Sequence, residues 1–397
     1  MNSVSENRLT KFERNTIATL SSVLVMRLIG LFMILPVLAL YTNEFTHGTP
    51  YLIGIALGIY GLTQAIFQVP FGTASDRWGR RPLIVLGLIV FAIGSVVAAL
   101  STSIFGIILG RALQGAGTIS AVVLAMVGDV VREPQRPKSM ALVGVSIGTA
   151  FTLSLMLGPL LDSWVGIRGL FWIAAALAAV GVLMVLTLLP SKIKVDSNQT
   201  EQHTETKTGL FDRELVSLYV GTMAIHMVMT ALFLAFPIKF IEVSGFARDE
   251  IWKVFVPVLL TSVLVMVPLI RYSSKKKQSG QVMILGGLVL LVAQGVLHVG
   301  SLDGAMMMLV LGLWLFFVGF NTLEALLPST TVTKAPEKMR GTVMGIFNAC
   351  TFIGAFLGGV FGGLVYTRHE SAGVFLLAAL VILIWLTFKL IISRQLA

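Results

Sequence analysis

Along the chain, apolar residues gather into runs of twenty or more, separated by short clusters of charge and turn residues. A helix needs about 20 apolar residues to cross the hydrocarbon core of a bilayer, and runs of that length read as membrane spans, not as strands or surface helices. Cutting the chain at its charges and turns predicts twelve helices, over residues 16–41, 51–74, 83–101, 104–131, 139–162, 168–190, 214–241, 250–270, 281–300, 304–330, 341–366 and 371–392. Pro82 to Gly110 carries no charge and is too long for one span, so it divides at Ser101-Thr102-Ser103. Lys253 intrudes near the start of the eighth segment.

The pattern also repeats. GLFMILPVLALY at Gly30 to Tyr41 is similar to ALFLAFPIKFIE at Ala231 to Glu242, which sets Pro36 opposite Pro237 at an offset of 201. Val69-Pro70 recurs as Val267-Pro268 at an offset of 198, and Gly144 matches Gly345 at 201. Near-constant offsets imply two six-helix bundles in parallel repeat, with a substrate site at their interface near midplane. The expected fold is an all-α polytopic membrane protein: residues 1–190 form one bundle, 191–213 a polar linker and 214–397 the second bundle.

Charge adds direction. Of 29 Lys and Arg, 22 fall in segments that are cytoplasmic if the N-terminus is inside; five fall in outer loops, and Arg27 and Arg111 lie within helices. That bias predicts both termini in the cytoplasm. The net charge of +10 is then a topology signal and not a nucleic-acid footprint. The linker's Asn198-Gln199-Thr200 sequon falls on the cytoplasmic side, where it is not glycosylated. MNSVSENRLTKFER reads as a cytoplasmic tail ahead of a retained first helix, because no small-residue cleavage site follows the apolar run.

Composition excludes other classes. Charged residues make up 12%, against about 25% in soluble proteins, and mean hydropathy is +0.90. One cysteine, Cys350, and five scattered histidines offer no ligand spacing, so no metal or cofactor is expected. No GxxxxGK[ST] loop is present for a nucleotide.

The sharpest local motif is Gly72-Thr-Ala-Ser-Asp76-Arg77-Trp78-Gly79-Arg80-Arg81, between the second and third helices. Gly72 and Gly79 permit close packing and a tight turn, Asp76 can meet a neighbouring helix N-terminus, and Arg80 can reach Asp129 at the end of the fourth helix. The motif resembles the GxxxDRxGRR pattern, motif A, of the major facilitator superfamily, in the loop where that family carries it. A network of Asp76, Arg80 and Asp129 is expected to latch the two bundles in the outward-open state; anchoring at the headgroups is the plainer alternative. The second-half counterpart, Arg271-Tyr-Ser-Ser-Lys-Lys-Lys, lacks the Gly and Asp pattern, so the latch is one-sided. Gly110-Arg111-Ala-Leu-Gln114-Gly115-Ala-Gly117 resembles the family's motif B, whose arginine is linked there with proton coupling; a structural or snorkelling arginine is the alternative. Gly158-Pro159 matches the centre of motif C, the GxxxGPxxGG pattern typical of the antiporters, and is expected to bend the fifth helix. Ser154 replaces its first glycine and Asp162 a glycine of its last pair.

Over the whole chain the resemblance is to the drug:proton antiporter branch. Some members carry a soluble domain after the last helix; the chain ends at Ala397, so nothing that depends on such a domain is expected to carry over.

Charge inside a span is costly and marks function or pairing. Arg27, Arg111, His226 and Glu324 are the candidates. His226 corresponds by the repeat to Val25, two residues from Arg27, which predicts polar groups at similar depth in the first and seventh helices. Desolvation favours the neutral form of a carboxylic acid and a nearby cation the charged form, the property a conformationally switched proton carrier needs. Glu324 and His226 are the expected proton-linked groups, with Arg27 as a tuning charge; a satisfied structural role stands beside each. Asn321 shares a helix face with Glu324, and Gln64, Gln68, Gln114 and Asn348 either orient substrate or bond across helices. The expected activity is proton-coupled efflux of small lipophilic compounds by a monomer, with no enzymatic step. Proton-coupled nutrient uptake and a non-coupled lipid-moving or sensing protein are the alternatives.

Overall fold

The computed structural model describes residues 9–189, 209–276, 278–336 and 339–395. Most of the predicted linker, including Asn198, Lys192, Lys194 and Lys207, lies outside the described residues, as do Lys277 and Lys338. Eleven helices are described: α1 (Lys11–Phe32), α2 (Pro50–Trp78), α3 (Arg80–Leu100), α4 (Ile104–Ala116), α5 (Ser120–Val130), α6 (Arg136–Leu188), α7 (Arg213–Ser244), α8 (Trp252–Lys276), α9 (Ser279–Asp303), α10 (Met306–Lys334) and α11 (Arg340–Gln395). Ten helical stretches are long and apolar enough to span a bilayer, and two of these run for 56 and 53 residues. A straight helix of that length would be about 80 Å long against a core of about 30 Å, so each of the two is a pair of spans. The total is twelve.

Caps set the boundaries. Thr10 and Glu13 close a reciprocal capping box on α1, each side chain accepting from the other's backbone N–H at 3.1 and 2.7 Å. Thr49 followed by Pro50 starts α2, and Gly245, at φ 69°, stops α7.

The main departures from expectation fall at four places. The first helix ends at Phe32 instead of 41 and gives way to a turn and a 3-10 segment, Leu38–Glu44. Pro36 lacks the N–H that would continue the helix, and its ring would collide with the carbonyl of Phe32. Its repeat partner Pro237 sits inside an unbroken α7. The fourth predicted helix is broken into α4 and α5 at Gly117 to Ile119. There the chain crosses α3 at backbone distance: a Cβ on Gly117 would lie 2.7 Å from the Phe91 nitrogen. The predicted loops at 163–167 and 367–370 shrink to single non-helical residues, Gly166 (φ 65°, ψ 178°) in α6 and Glu370 (φ 51°, ψ −154°) in α11. Gly158 and Pro159 lie within α6, whose residue with non-helical backbone angles is Gly166. Gly158 serves for close approach, since a Cβ there would sit 2.8 Å from the Met33 carbonyl carbon.

The helices before and after the linker meet along α2 and α11. A Cβ on Gly58 would come within 2.8 Å of the Phe356 Cα, one on Gly61 within 2.5 Å of the Phe352 oxygen, and one on Gly363 within 2.9 Å of the Tyr51 Cα. Small residues bring the backbones together here, as in other membrane helix pairs. Further along the same helices the seam opens: Gly72 in α2 and Gly341 and Gly345 in α11 have nothing within 4 Å of a built Cβ. The halves are closed at one end and splayed at the end where α1 begins and α11 finishes. These are called below the distal and terminal ends.

Candidate functional site: polar clusters inside the spans

Arg27 and Arg111 are fully buried between α1, α2 and α4. Arg27 donates through Nε to the Gly117 carbonyl (3.1 Å) and through Nη2 to Gln64 Oε1 (3.1 Å) and the Gln114 carbonyl (3.4 Å). Arg111 donates through Nε to the Ala56 carbonyl (3.3 Å) and through Nη1 to the Leu31 carbonyl (3.2 Å) and Gln114 Oε1 (2.9 Å), with its guanidinium 4.5 Å from the Tyr60 ring centroid. Gln114 donates onward to Ser95 Oγ at 2.9 Å. No ion pair involving either arginine is found among the described residues. Their counter-charge is the carbonyl end of a helix: Leu31 lies in the last turn of α1 and Gln114 in the last turn of α4. The breaks in these helices and the two arginines explain one another. Arg27 is thereby held on α4 by these carbonyl bonds, and the structure does not pair it with His226 or Glu324.

Those two meet each other in the second half. His226 Nε2 lies 3.5 Å from Glu324 Oε2. Its Nδ1 donates to the Thr222 carbonyl at 2.9 Å, one turn earlier in α7, since a carbonyl oxygen only accepts, and Nε2 faces the carboxylate. The Phe320 ring stands edge-on to the imidazole at 5.7 Å. The His226 side chain is 9% exposed and that of Glu324 37%, so the imidazole is buried and the carboxylate partly open. Thr222 and Thr351, 2.7 Å apart, tie α7 to α11 beside the pair. Neither threonine stood out in the sequence, although Thr222 precedes His226 by the four residues of a helical back-bond.

The remaining predicted polar residues divide. Gln64 belongs to the arginine network, Gln68 is buried on the same helix, and Asn321 donates to Ser262 Oγ at 3.1 Å, joining α10 to α8. Asn348 is half-buried on α11, one turn from Gly345 and its open flank.

At the terminal end Gly79 turns the chain from α2 into α3 in one residue at φ 93°, a conformation suited to glycine. That turn aims Arg80 at three partners: Asp76 Oδ1 (2.5 Å), Asp129 Oδ2 (2.9 Å) and Ser75 Oγ (2.6 Å). Asp76 is 59% exposed and meets Arg80 instead of a helix N-terminus. All four residues belong to the first half. Arg77 is exposed, and Arg81 donates to the Val185 carbonyl (3.1 Å) and to that of Leu186.

The distal end holds a cluster that sequence reading missed. Tyr41 Oη donates to Asp162 Oδ1 at 2.7 Å. Arg248, from the second half, lies 4.2 Å over the Tyr41 ring and pairs with Glu44. The available signal was the aspartate that replaces a glycine at the end of motif C.

Buried polar brackets on broken helices, a histidine–carboxylate pair inside the spans and two halves meeting on a glycine seam frame the comparison with known proteins. A family model for the Major Facilitator Superfamily matches residues 20–359. The chain belongs to the major facilitator superfamily. Among superfamily members it is 40% identical over 389 residues to the inner membrane transport protein YajR of Escherichia coli K12, covering 97% of this chain and 84% of that protein. It is 31% identical over 197 residues to the class B tetracycline resistance protein of Escherichia coli, covering 48% and 47% of the two chains. The inward-facing, unoccupied crystal structure of a bacterial homologue of the human lysosomal transporter Spinster superposes with a TM-score of 0.75 at 15% identity, over 98% of each chain, which shows a shared fold. The protein is thus a multi-pass membrane transporter of this superfamily and not an enzyme.

Proposed function

We propose that the protein is a proton-coupled antiporter exporting small lipophilic compounds across the bacterial inner membrane, working as a monomer with both termini in the cytoplasm. In this orientation the splayed terminal end is the cytoplasmic mouth, and the structure is the inward-open member of an alternating pair. The observation that carries the reading is the His226–Glu324 contact. One proton can reside on either partner, and the balance depends on how much water reaches the carboxylate. Closing the terminal end and opening the distal one exchanges that water for protein and then for the other compartment. The proton therefore travels with the conformational change. The scarcity of charge and the aromatic lining at Phe320 and Phe151, 5.7 Å apart across the halves, suit apolar substrates better than sugars or zwitterions.

Purified protein in proteoliposomes with an imposed pH gradient, screened against cationic, neutral and anionic compounds, tests the reading. Glu324→Gln is expected to abolish substrate-induced proton flux while folded yield stays unchanged. Undiminished flux in that variant would overturn the assignment.

A further inference from the structure

The transport reading leaves Asp162 without a role. It is 5% exposed near the distal end of the first limb of α6. Tyr41 Oη accepts from the Ile167 backbone N–H at 3.2 Å and so directs its own hydrogen at Asp162 Oδ1. Outside this buried inner pair lies an exposed outer one: the side chains of Arg248 and Glu44 are 37% and 51% exposed. Arg248 joins the layers by stacking on the Tyr41 ring while it pairs with Glu44. Tyr41, Glu44 and Asp162 come from the first half and Arg248 from the second, so the cluster spans the distal closure.

The charges that act on Asp162 come from two neighbouring segments: Glu44 beside Tyr41 on the 3-10 segment after α1, and Arg248 with Asp249 on the short 3-10 turn before α8. Nearby Glu250 is paired with Lys253, and Glu242 on α7 with Lys239. Arg248 is therefore the cation that Asp162 and Glu44 share.

We propose that Asp162 is a second proton-binding site, loaded from the compartment at the distal end, and that its protonation releases Arg248 from Tyr41 and lets the distal end open. An ionised Asp162 attracts Arg248 directly and, as acceptor for the Tyr41 hydroxyl, enriches the ring on which Arg248 stacks. A solvent proton on Oδ2 removes the direct attraction and weakens the effect through the ring, while the Tyr41 hydrogen bond to Oδ1 stays in place. The inference rests on the proton-coupled reading above and assigns acid on the distal side the task of exposing the cavity to that side.

The test is a spin-label distance across the distal face of the full chain in lipid nanodiscs, between cysteines placed at Leu100 and Asp303 on a Cys350→Ser background. Both positions are exposed at distal helix ends. Measuring in a His226→Gln, Glu324→Gln background as well removes both members of the central pair. In both backgrounds, lowering the pH from mildly alkaline to mildly acidic should raise the long-distance population several-fold. Asp162→Asn should show that population at both pH values. Tyr41→Phe keeps the ring under Arg248 but deletes the hydrogen bond that favours ionised Asp162, and should move the pH midpoint of opening upward, which tests the inference if Asp162→Asn does not fold. A pH response that survives Asp162→Asn, an unmoved midpoint in Tyr41→Phe, or an Asp162→Asn protein closed at both pH values overturns the inference. Neither result bears on the proton-flux test at Glu324, so the two readings can fail separately.

Discussion

At the scale of single residues, the two buried arginines show how a membrane protein holds a cation without an acid. Each guanidinium donates to carbonyls at a helix end, where the macrodipole supplies partial negative charge. Arg27→Ala leaves the Gln114 and Gly117 carbonyls unpaired in a dry interior, at about 1–3 kcal/mol each. The expected result is a lower unfolding midpoint in detergent with unchanged helix content. Arg111→Lys should behave similarly, because one ammonium cannot reproduce a planar fork that serves Ala56, Leu31 and Gln114 together. The sequence singled out both residues as costly to bury. It pointed Arg27 toward His226, however, because the repeat offset compares depth and carries no information about which face of α1 the side chain leaves. His226 and Glu324 were legible for the opposite reason: ionisable groups in two spans of the same half have few neighbours to choose from.

At the scale of elements, the number of spans followed from run length, and the joints between them did not. A run of apolar residues has the same composition whether it continues straight or breaks, and the breaks at Phe32 and Ala116 arise from a proline ring and from the close crossing of α3 with α4, which are tertiary facts. Gly166 and Glu370 turn the chain within one residue, where the charge-based cut anticipated loops of several. The α2 and α11 seam gives a sharper prediction. In Gly359→Val the new Cβ would lie 3.1 Å from the Gly58 nitrogen, with two methyl groups beyond it. Overpacking costs about 1–3 kcal/mol, which corresponds to a shift of roughly 5- to 150-fold in the closed-to-open ratio at the distal end. The Leu100 and Asp303 spin-label pair should report it as a gain in long distances at every pH.

At the scale of the whole molecule, the conformation decides what motif A can be seen to do. Arg80, Asp76 and Asp129 are joined within the first half while the terminal end is splayed, so any hold on the second half belongs to the other conformation. An exposed pair such as Asp76 with Arg80 contributes about 0–1 kcal/mol here. Asp76→Asn should therefore leave the terminal-open state nearly untouched and weaken its counterpart, raising the labelling rate of a cysteine placed at Gly144 on a Cys350→Ser background. Equal labelling would reduce motif A to a headgroup anchor. The distal face has a consequence of a different kind. Its crossings are made by Gly166, by Glu370, by Ser101 to Ser103, by Gly304 and Ala305, by a short turn after Gly245, and by residues 33–49, where Leu38, Ala39 and Tyr41 are buried. A surface so closely cropped offers a protease or an antibody almost nothing to grip. With the distal face outermost, as proposed above, it should pass digestion of spheroplasts unmarked, leaving the protein visible from outside only through what it moves.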